Sequence, residues 1–374
     1  MGKDVSAVQV HLRQILNRAK IVAMIITAKI FILPILAALI TFITMPIVRK
    51  LSLRFGAVAV PGGRRTHSSV VPLSGGVAIF FGFLIAILFF NSTSPEILGF
   101  LIAATVITGV GLIDDIFELP PIAKFFGQVL AALIVISAGV QIKFVGNLGN
   151  GNDGLYYLGF LSLPITFFWI IGLTNAINFL DGLDGLAGGV SGIAAWTLGV
   201  VALISGRYDA AVLSFTLGAA AFAFLPHNFT NHPKHKIFMG DAGSGFLGFG
   251  LAVLSIMGMT KVAAAFSMLV PIMVLAIPIF DTGFAIVRRL LSGKSPFEAD
   301  RLHLHHRIMD KGLSNRQTTF TIYGVTLVLS IIAIFSMKMD DRSVLIVFLA
   351  TLVVFVLFLW RLGLIKITRK QSGK

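Results

Sequence analysis

About eleven apolar blocks, each close to the length that crosses a bilayer as a helix, dominate this 374-residue chain. They cover roughly 30–48, 75–91, 97–113, 122–140, 160–180, 186–205, 210–226, 243–259, 262–282, 319–337 and 343–360. A helix needs about 20 residues to cross a hydrocarbon core of about 30 Å. Backbone polar groups meet no water there, so such blocks must bond internally as helices. A hydrophobic fraction of 56% against 12% charged residues exceeds the balance of soluble globular domains. The expected fold is all-α: a polytopic membrane protein of about eleven transmembrane helices with loops between them.

The net charge of +14 gains meaning from its placement. With eleven spans the termini lie on opposite faces, and 49–74, 114–121, 227–242, 283–318 and 361–374 share one face. Those segments hold about twenty of the Lys and Arg residues and the other face about ten, so the positive-inside rule makes the first face cytoplasmic. Residues 1–29 (Lys3, Arg13, Arg18, Lys20, Lys29) are the exception, basic yet assigned outside. They lack the compact pattern of a signal peptide, and "VQVHLRQILNRAKIVAMI" is compatible with an interfacial amphipathic helix. The expected organisation is this basic segment (1–29), one transmembrane domain (30–360) with a long cytoplasmic loop at 283–318, and a basic tail (361–374). The Gly/Asn-rich "KFVGNLGNGNDGLYYLG" (143–159) is expected as a small outer hairpin. Zero cysteines exclude disulfides and thiolate catalysis.

Asp114, Asp115, Glu118, Asp181, Asp184, Asp241 and Asp281 fall at the cytoplasmic ends of the blocks. In "TNAINFLDGLDGLAGG", Asn175, Asn178, Asp181 and Asp184 recur every three residues, which a helical or 3₁₀ turn brings to one side. Amide and carboxylate oxygens are the hard ligands Mg²⁺ takes, and the following glycines let backbone N–H groups approach an anion. The plainer reading is a polar cap with small residues for close helix packing. "FMGDAGSG" repeats the pattern around Asp241, again with an ordinary Asp cap as the alternative. "DDIFE" sets Asp114 beside Asp115, with Glu118 one turn on; away from water, adjacent carboxylates share a cation or proton. Lys124 on the next block is positioned to pair with them or to hold a phosphate, unless the turn is merely solvated. In "ADRLHLHHR", His303, His305, His306 and Arg307, with Arg301, fit phosphate or sugar contacts better than a zinc site, for which only Asp300 and Glu298 stand near. A solvated stretch at headgroup level is the alternative. Arg64, Arg65 and His67 in "PGGRRTH" read as phosphate contacts or, more simply, as positive-inside residues.

Together these motifs resemble the polyprenyl-phosphate N-acetylhexosamine-1-phosphate transferases. The elements "RRTH…PLSGG", "GLIDD…PPIAKFFGQ", "NAINFLDGLDGLAGG", "IFMGDAGS" and "FDTGFAIVRR…SPFEADRLHLHHR" stand in that family's order over about 50–310. The "ADRLHLHHR" form is similar to the bacterial branch that starts teichoic acid, O-antigen or enterobacterial common antigen synthesis. The resemblance implies transfer of a sugar 1-phosphate, GlcNAc by default, from a UDP-N-acetylhexosamine to undecaprenyl phosphate, releasing UMP with Mg²⁺ or Mn²⁺. It implies metal ligands at Asn178 and Asp241, paired aspartates at Asp114 and Asp115, and a diphosphate-contacting Lys124. It also implies nucleotide-side carboxylates at Asp181 and Asp184, a uracil neighbour at Phe238 and sugar-recognition histidines at His303, His305 and His306. Asn175, Arg307 and either Asn228 or Asn231 join the nucleotide-sugar set. The implied partners are the two substrates and the bilayer of a bacterial inner membrane, not nucleic acid, with homodimerisation left open. This chain departs from the family pattern at Ala59, where an acidic residue is usual, and in the longer "HNFTNHPKHKIFMGD".

A lipid phosphate monoester is mostly dianionic at neutral pH, since its second pKa lies near 6. It needs charge neutralisation and alignment more than a base, so Asp114 and Asp115 are expected to position or bind metal, with an aspartyl-phosphate route as the alternative. A cation-coupled transporter or flippase is the rival from another class. It predicts charges near mid-span, whereas here they gather at one face. A lipid phosphatase is a third reading that the histidines alone do not exclude.

Overall fold

The computed structural model describes residues 2–59, 70–90, 94–146, 155–258, 268–291, 293 and 303–361. It is a helical bundle: α1 (Gly2–Phe55), α2 (Gly75–Leu88), α3 (Pro95–Phe117), α4 (Pro121–Ser137), α5 (Ser162–Leu180), α6 (Leu186–Ile204) and α7 (Tyr208–Phe229). After them come α8 (Gly240–Met257), α9 (Leu269–Val274), α10 (Ala276–Leu291), α11 (Leu304–Met309), α12 (Asn315–Ser336) and α13 (Asp341–Arg361). Two short antiparallel pairs complete it, β1 (Val58–Ala59) with β2 (Val71–Pro72) and β3 (Phe144–Gly146) with β4 (Leu155–Tyr157). The second pair is the hairpin expected in 143–159. Residues 2–55 form one helix, with no break between the basic N-terminal segment and the first span.

Among the described residues, eight helices are long and apolar enough to cross a membrane. The blocks at 75–91 and 122–140 are shorter apolar helices, Gly75–Leu88 and Pro121–Ser137. The block at 262–282 is not one span among the described residues: it is broken at Leu275, between α9 and α10. Pro278 has no N–H to give the carbonyl four residues back, which ends the continuous ladder there. Arg64, Arg65, His67, Glu298, Asp300 and Arg301 lie outside the described residues.

α8 is the axis of the bundle. Every residue from Ala242 to Met257 is buried, against α2, α3, α5, α6 and α7. Its composition explains this, because without lipid-phobic driving force helices associate where small residues let backbones approach. A Cβ added at Gly76 would lie 1.9 Å from the Gly243 Cα, one at Gly111 2.5 Å from the Ala242 Cα, and one at Gly248 2.8 Å from Thr174. Phe80, Phe83, Phe100, Phe246 and Phe249 fill the space between α2, α3 and α8 in edge-to-face, tilted and stacked pairs. The large exposed apolar side chains sit on the perimeter instead, such as Phe31, Ile35 and Ile43 on α1 and Val353, Val354 and Leu357 on α13. Such a belt is solvated by lipid, not water. The chain is an integral multi-pass membrane protein.

Candidate active site

The polar residues converge at one end of the bundle, where α3, α5 and α7 finish and α4, α6 and α8 begin. α3 stops because Glu118 adopts φ 51°, a left-handed cap that sends its N–H back to the Asp114 carbonyl. Pro120 and Pro121 then start α4, the latter at the first helical position. That tight reversal aims Asp114 at the turn itself, with Oδ1 accepting the Leu119 N–H at 2.8 Å. It also brings Lys124, one turn into α4, within 3.1 Å of Asp114 Oδ2.

Lys124 bridges two helices. Its ammonium lies 2.9 Å from Asp241 Oδ2 at the start of α8, so one cation serves two carboxylates. Asp115 is turned the other way and buried. Its Oδ1 accepts the Asp241 N–H at 2.7 Å, and its Oδ2 accepts the Ser74 hydroxyl at 3.1 Å and the Ala242 N–H at 3.4 Å. Asp115 therefore caps the N-terminus of α8, where helix partial charge favours an anion. Ser74 reaches it from a left-handed conformation, φ 67°, which is uncommon for a residue other than glycine. Asn178, near the end of α5, donates from Nδ2 to Ser244 Oγ at 2.8 Å, which leaves its carbonyl oxygen for another partner.

The α5–α6 turn, "DGLDG", is clamped from three sides. Gly185 at φ +74° caps α6, and Asn228 Oδ1 accepts its N–H while Asn228 Nδ2 donates to the Ile237 carbonyl at 2.9 Å. From α12, Thr319 donates to the Asp184 carbonyl at 3.3 Å and Tyr323 to the Gly185 carbonyl. From α11, His305 lies on Gly182, where a Cβ would come within 2.5 Å of its Nε2. Lys236 pairs with the Asp184 carboxylate, and its ammonium sits 5.6 Å over the Phe238 ring. Arg49 anchors this loop to α1 through the Pro233 and Lys236 carbonyls. Asp181 stands between the two clusters. It is exposed at the turn; protein crowding around its carboxyl, then the charges of Asp241, Asp115 and Asp184, hold it above the ordinary carboxylate range.

The histidines form a row. His303 and His305 are parallel at 6.1 Å, and His305 and His306 lie 4.2 Å apart. Burial, then the neighbouring His306, lowers His305 to about 3, so its ring is neutral. Asp281 Oδ2 holds His303 Nδ1 at 2.9 Å.

Most residues singled out in the sequence therefore meet at one place: Asp114, Asp115, Lys124, Asn178, Asp181, Asp184, Phe238, Asp241, His303, His305 and His306. Arg307 follows in α11, with its Nε buried. Asn175 is turned between α4 and α5, where it and Gln128 exchange amide contacts of 2.7 and 3.3 Å. Of the two asparagines left open, Asn228 is buried and spent on Gly185 and Ile237, while Asn231 is exposed on the loop. Lys236, Tyr323, Thr319 and Asp281 were not singled out as site residues. The first stands two residues before Phe238, a neighbourhood that offered a signal; the α12 contacts are long-range and left none.

A family model described as glycosyl transferase family 4 matches residues 97–259, the stretch that holds the five aspartates of the cluster. The chain is 37% identical over 302 residues to a protein of Bacillus subtilis (strain 168) named probable undecaprenyl-phosphate N-acetylglucosaminyl 1-phosphate transferase, covering 80% of this chain and 83% of the relative. It is 34% identical over 349 residues, 85% of each chain, to a decaprenyl-phosphate N-acetylglucosaminephosphotransferase of Mycobacterium tuberculosis (strain ATCC 25618 / H37Rv). An undecaprenyl-phosphate alpha-N-acetylglucosaminyl 1-phosphate transferase of Yersinia pestis is 29% identical over 290 residues, 77% of this chain and 79% of the relative. On these similarities, and with its acidic cluster set at one end of a membrane bundle, the chain belongs to the polyprenyl-phosphate N-acetylhexosamine-1-phosphate transferases of glycosyl transferase family 4.

Proposed function

We propose that this protein transfers N-acetylglucosamine 1-phosphate from UDP-GlcNAc to undecaprenyl phosphate at the cytoplasmic face of a bacterial inner membrane. An oxygen of the lipid phosphate attacks the β-phosphorus of the donor. The bond from that phosphorus to the bridging oxygen breaks, and UMP leaves with that oxygen. The product is undecaprenyl-diphospho-N-acetylglucosamine, which later glycosyl transfers would extend into a cell-surface polysaccharide such as an O-antigen or teichoic acid. The names of the relatives support the acceptor and the sugar. The observation that carries the reading is Lys124, a single ammonium shared by Asp114 and Asp241 where the bundle ends.

Among the described residues no three His, Asp or Glu side chains form a ready-made metal cage. The donor set nevertheless fits Mg²⁺, which binds through one or two carboxylates plus substrate phosphates and keeps several waters. Asn178 has its carbonyl oxygen to offer, and Asp114 and Asp241 outnumber the cation they share. Asn178 and Asp241 would hold the ion, and when bound it would neutralise phosphate charge. The chain's own groups do the rest. Lys124 draws an anionic phosphate to the Asp114–Asp241 pair as a point charge. Asp115 fixes the first turn of α8, and so the direction in which Asp241 points. Asp181, Asp184 and Phe238 form the nucleotide side. With the nucleophile already ionised, alignment and neutralisation suffice, and a covalent aspartyl-phosphate is not required.

The test is UMP release by purified protein in detergent, with undecaprenyl phosphate, Mg²⁺ and a panel of UDP-sugars. Release that requires both lipid and divalent cation, and is lost in Asp241→Ala, is the expected result. Folded wild-type protein that releases no UMP with any donor would overturn the reading.

A further inference from the structure

Asp281 is a buried carboxylate with both oxygens engaged. It lies on α10, 6% exposed, with Oδ2 at 2.9 Å from His303 Nδ1 and Oδ1 accepting the Leu304 N–H at 2.7 Å. The two contacts meet where the chain enters α11, so one side chain fixes both the backbone that carries the histidines and the first imidazole. Two aromatic rings stand beside the imidazole as well. Phe179 lies 5.8 Å away on one side, itself covered by the Arg289 guanidinium at 5.8 Å, and His305 stands parallel at 6.1 Å. His305 packs in turn on Gly182, between Asp181 and Asp184. A row of rings thus runs from Asp281 to the turn on the nucleotide side of the site.

An imidazole has two nitrogens, and a partner on one decides which remains free. With Nδ1 directed at a carboxylate, the proton sits on Nδ1 and Nε2 is the nitrogen left for a ligand. Resting on the transferase reading above, we propose that Asp281 is a positioning residue for donor recognition. By occupying Nδ1 it presents His303 Nε2 to the hydroxyl and acetamido groups of the donor's sugar. An acceptor lipid phosphate makes no such contact, so Asp281 acts on one substrate only.

The experiment is steady-state UMP release with donor and acceptor varied separately. Asp281→Asn keeps the volume and an oxygen for the Leu304 N–H but removes the charge that fixes the ring. Donor kcat/KM is expected to fall about tenfold or more, by analogy with the loss of the hydrogen-bond partner of a metal-ligating histidine, while the KM for undecaprenyl phosphate stays within about twofold. A second pair of variants reads the nitrogen directly. The amide of His303→Gln reaches the position of Nε2 and that of His303→Asn the position of Nδ1, so Gln is expected to retain more donor kcat/KM than Asn. An Asp281→Asn enzyme with unchanged donor kcat/KM, or His303→Asn outperforming His303→Gln, would overturn the proposal. If Asp281→Asn shows no cooperative thermal unfolding, the His303 pair decides. Failure of the wild-type protein to release UMP with any donor would instead sink the transferase reading.

Discussion

Gly240 stands where any side chain would strike Asp115: a Cβ built on it lies 2.4 Å from Asp115 Oδ2, and its φ of +73° disfavours every L residue besides. Only glycine lets the α8 N-terminus close onto the carboxylate that caps it. Gly240→Ala is therefore expected to displace Asp115 or Asp241 and to cut transfer activity by about a hundredfold or more, as small misplacements of reacting groups do. Kinetics beside thermal unfolding would check this, and an active, normally stable Gly240→Ala protein would contradict it.

Lys124 carries a different load. Its charge offsets two carboxylates in the resting site, and phosphate is expected to meet it during transfer. Lys124→Met removes the charge while keeping most of the apolar stem. The expected loss in kcat is about 10²–10³-fold, typical for removal of one electrostatic stabiliser of a transition state. Arginine is a planar fork, not a compact ammonium, and is expected to rescue poorly. Near wild-type kcat in Lys124→Met would remove Lys124 from the mechanism.

The sequence showed the membrane bundle because the physics of a span is local: about 20 apolar residues announce themselves without any partner. It showed the aspartates for a related reason, since uncompensated carboxylates at the edge of hydrocarbon are costly and seldom idle. What it showed less well depends on contacts between distant segments. Asn175 and Asn178 share a motif, yet one faces Gln128 and the other Ser244, a choice set by how α5 packs on α4 and α8. The block at 262–282 read as one span because apolar content hid the break that Pro278 imposes. Tyr323 belongs to a helix with no site motif, and only the tertiary fold lays it on Gly185.

Lys236 and Asp184 tie the loop before α8 to the α5–α6 turn, with side chains 13% and 32% exposed. Partial exposure weakens such a pair as a source of stability, so its value lies in holding Asp184 and covering Phe238. Lys236→Ala is expected to raise the donor KM about tenfold, the worth of one charge-assisted hydrogen bond, with kcat and acceptor KM little changed. Titrating donor and acceptor separately decides it; equal effects on both substrates would point to general damage instead.

His305 makes a prediction about pH. Burial and the adjacent His306 and His303 lower it to about 3, while an unfolded histidine titrates near 6.5. Above pH 6.5 both states are neutral and the group contributes nothing pH-dependent. As pH falls below 6.5 the unfolded chain gains a proton that the folded chain refuses, so stability drops, by about 1.4 kcal/mol per pH unit at most. The loss continues until about pH 3, where the folded ring also protonates. The ring is 2% exposed and its Nδ1 meets no hydrogen-bond partner; the Asp281 carboxylate favours the charged form, but burial and the neighbouring imidazoles outweigh it. Thermal unfolding midpoints in detergent should therefore fall between pH 7 and pH 5 in the wild type, and fall less steeply in His305→Gln. Parallel slopes for the two proteins would mean that His305 is protonated in the folded site after all.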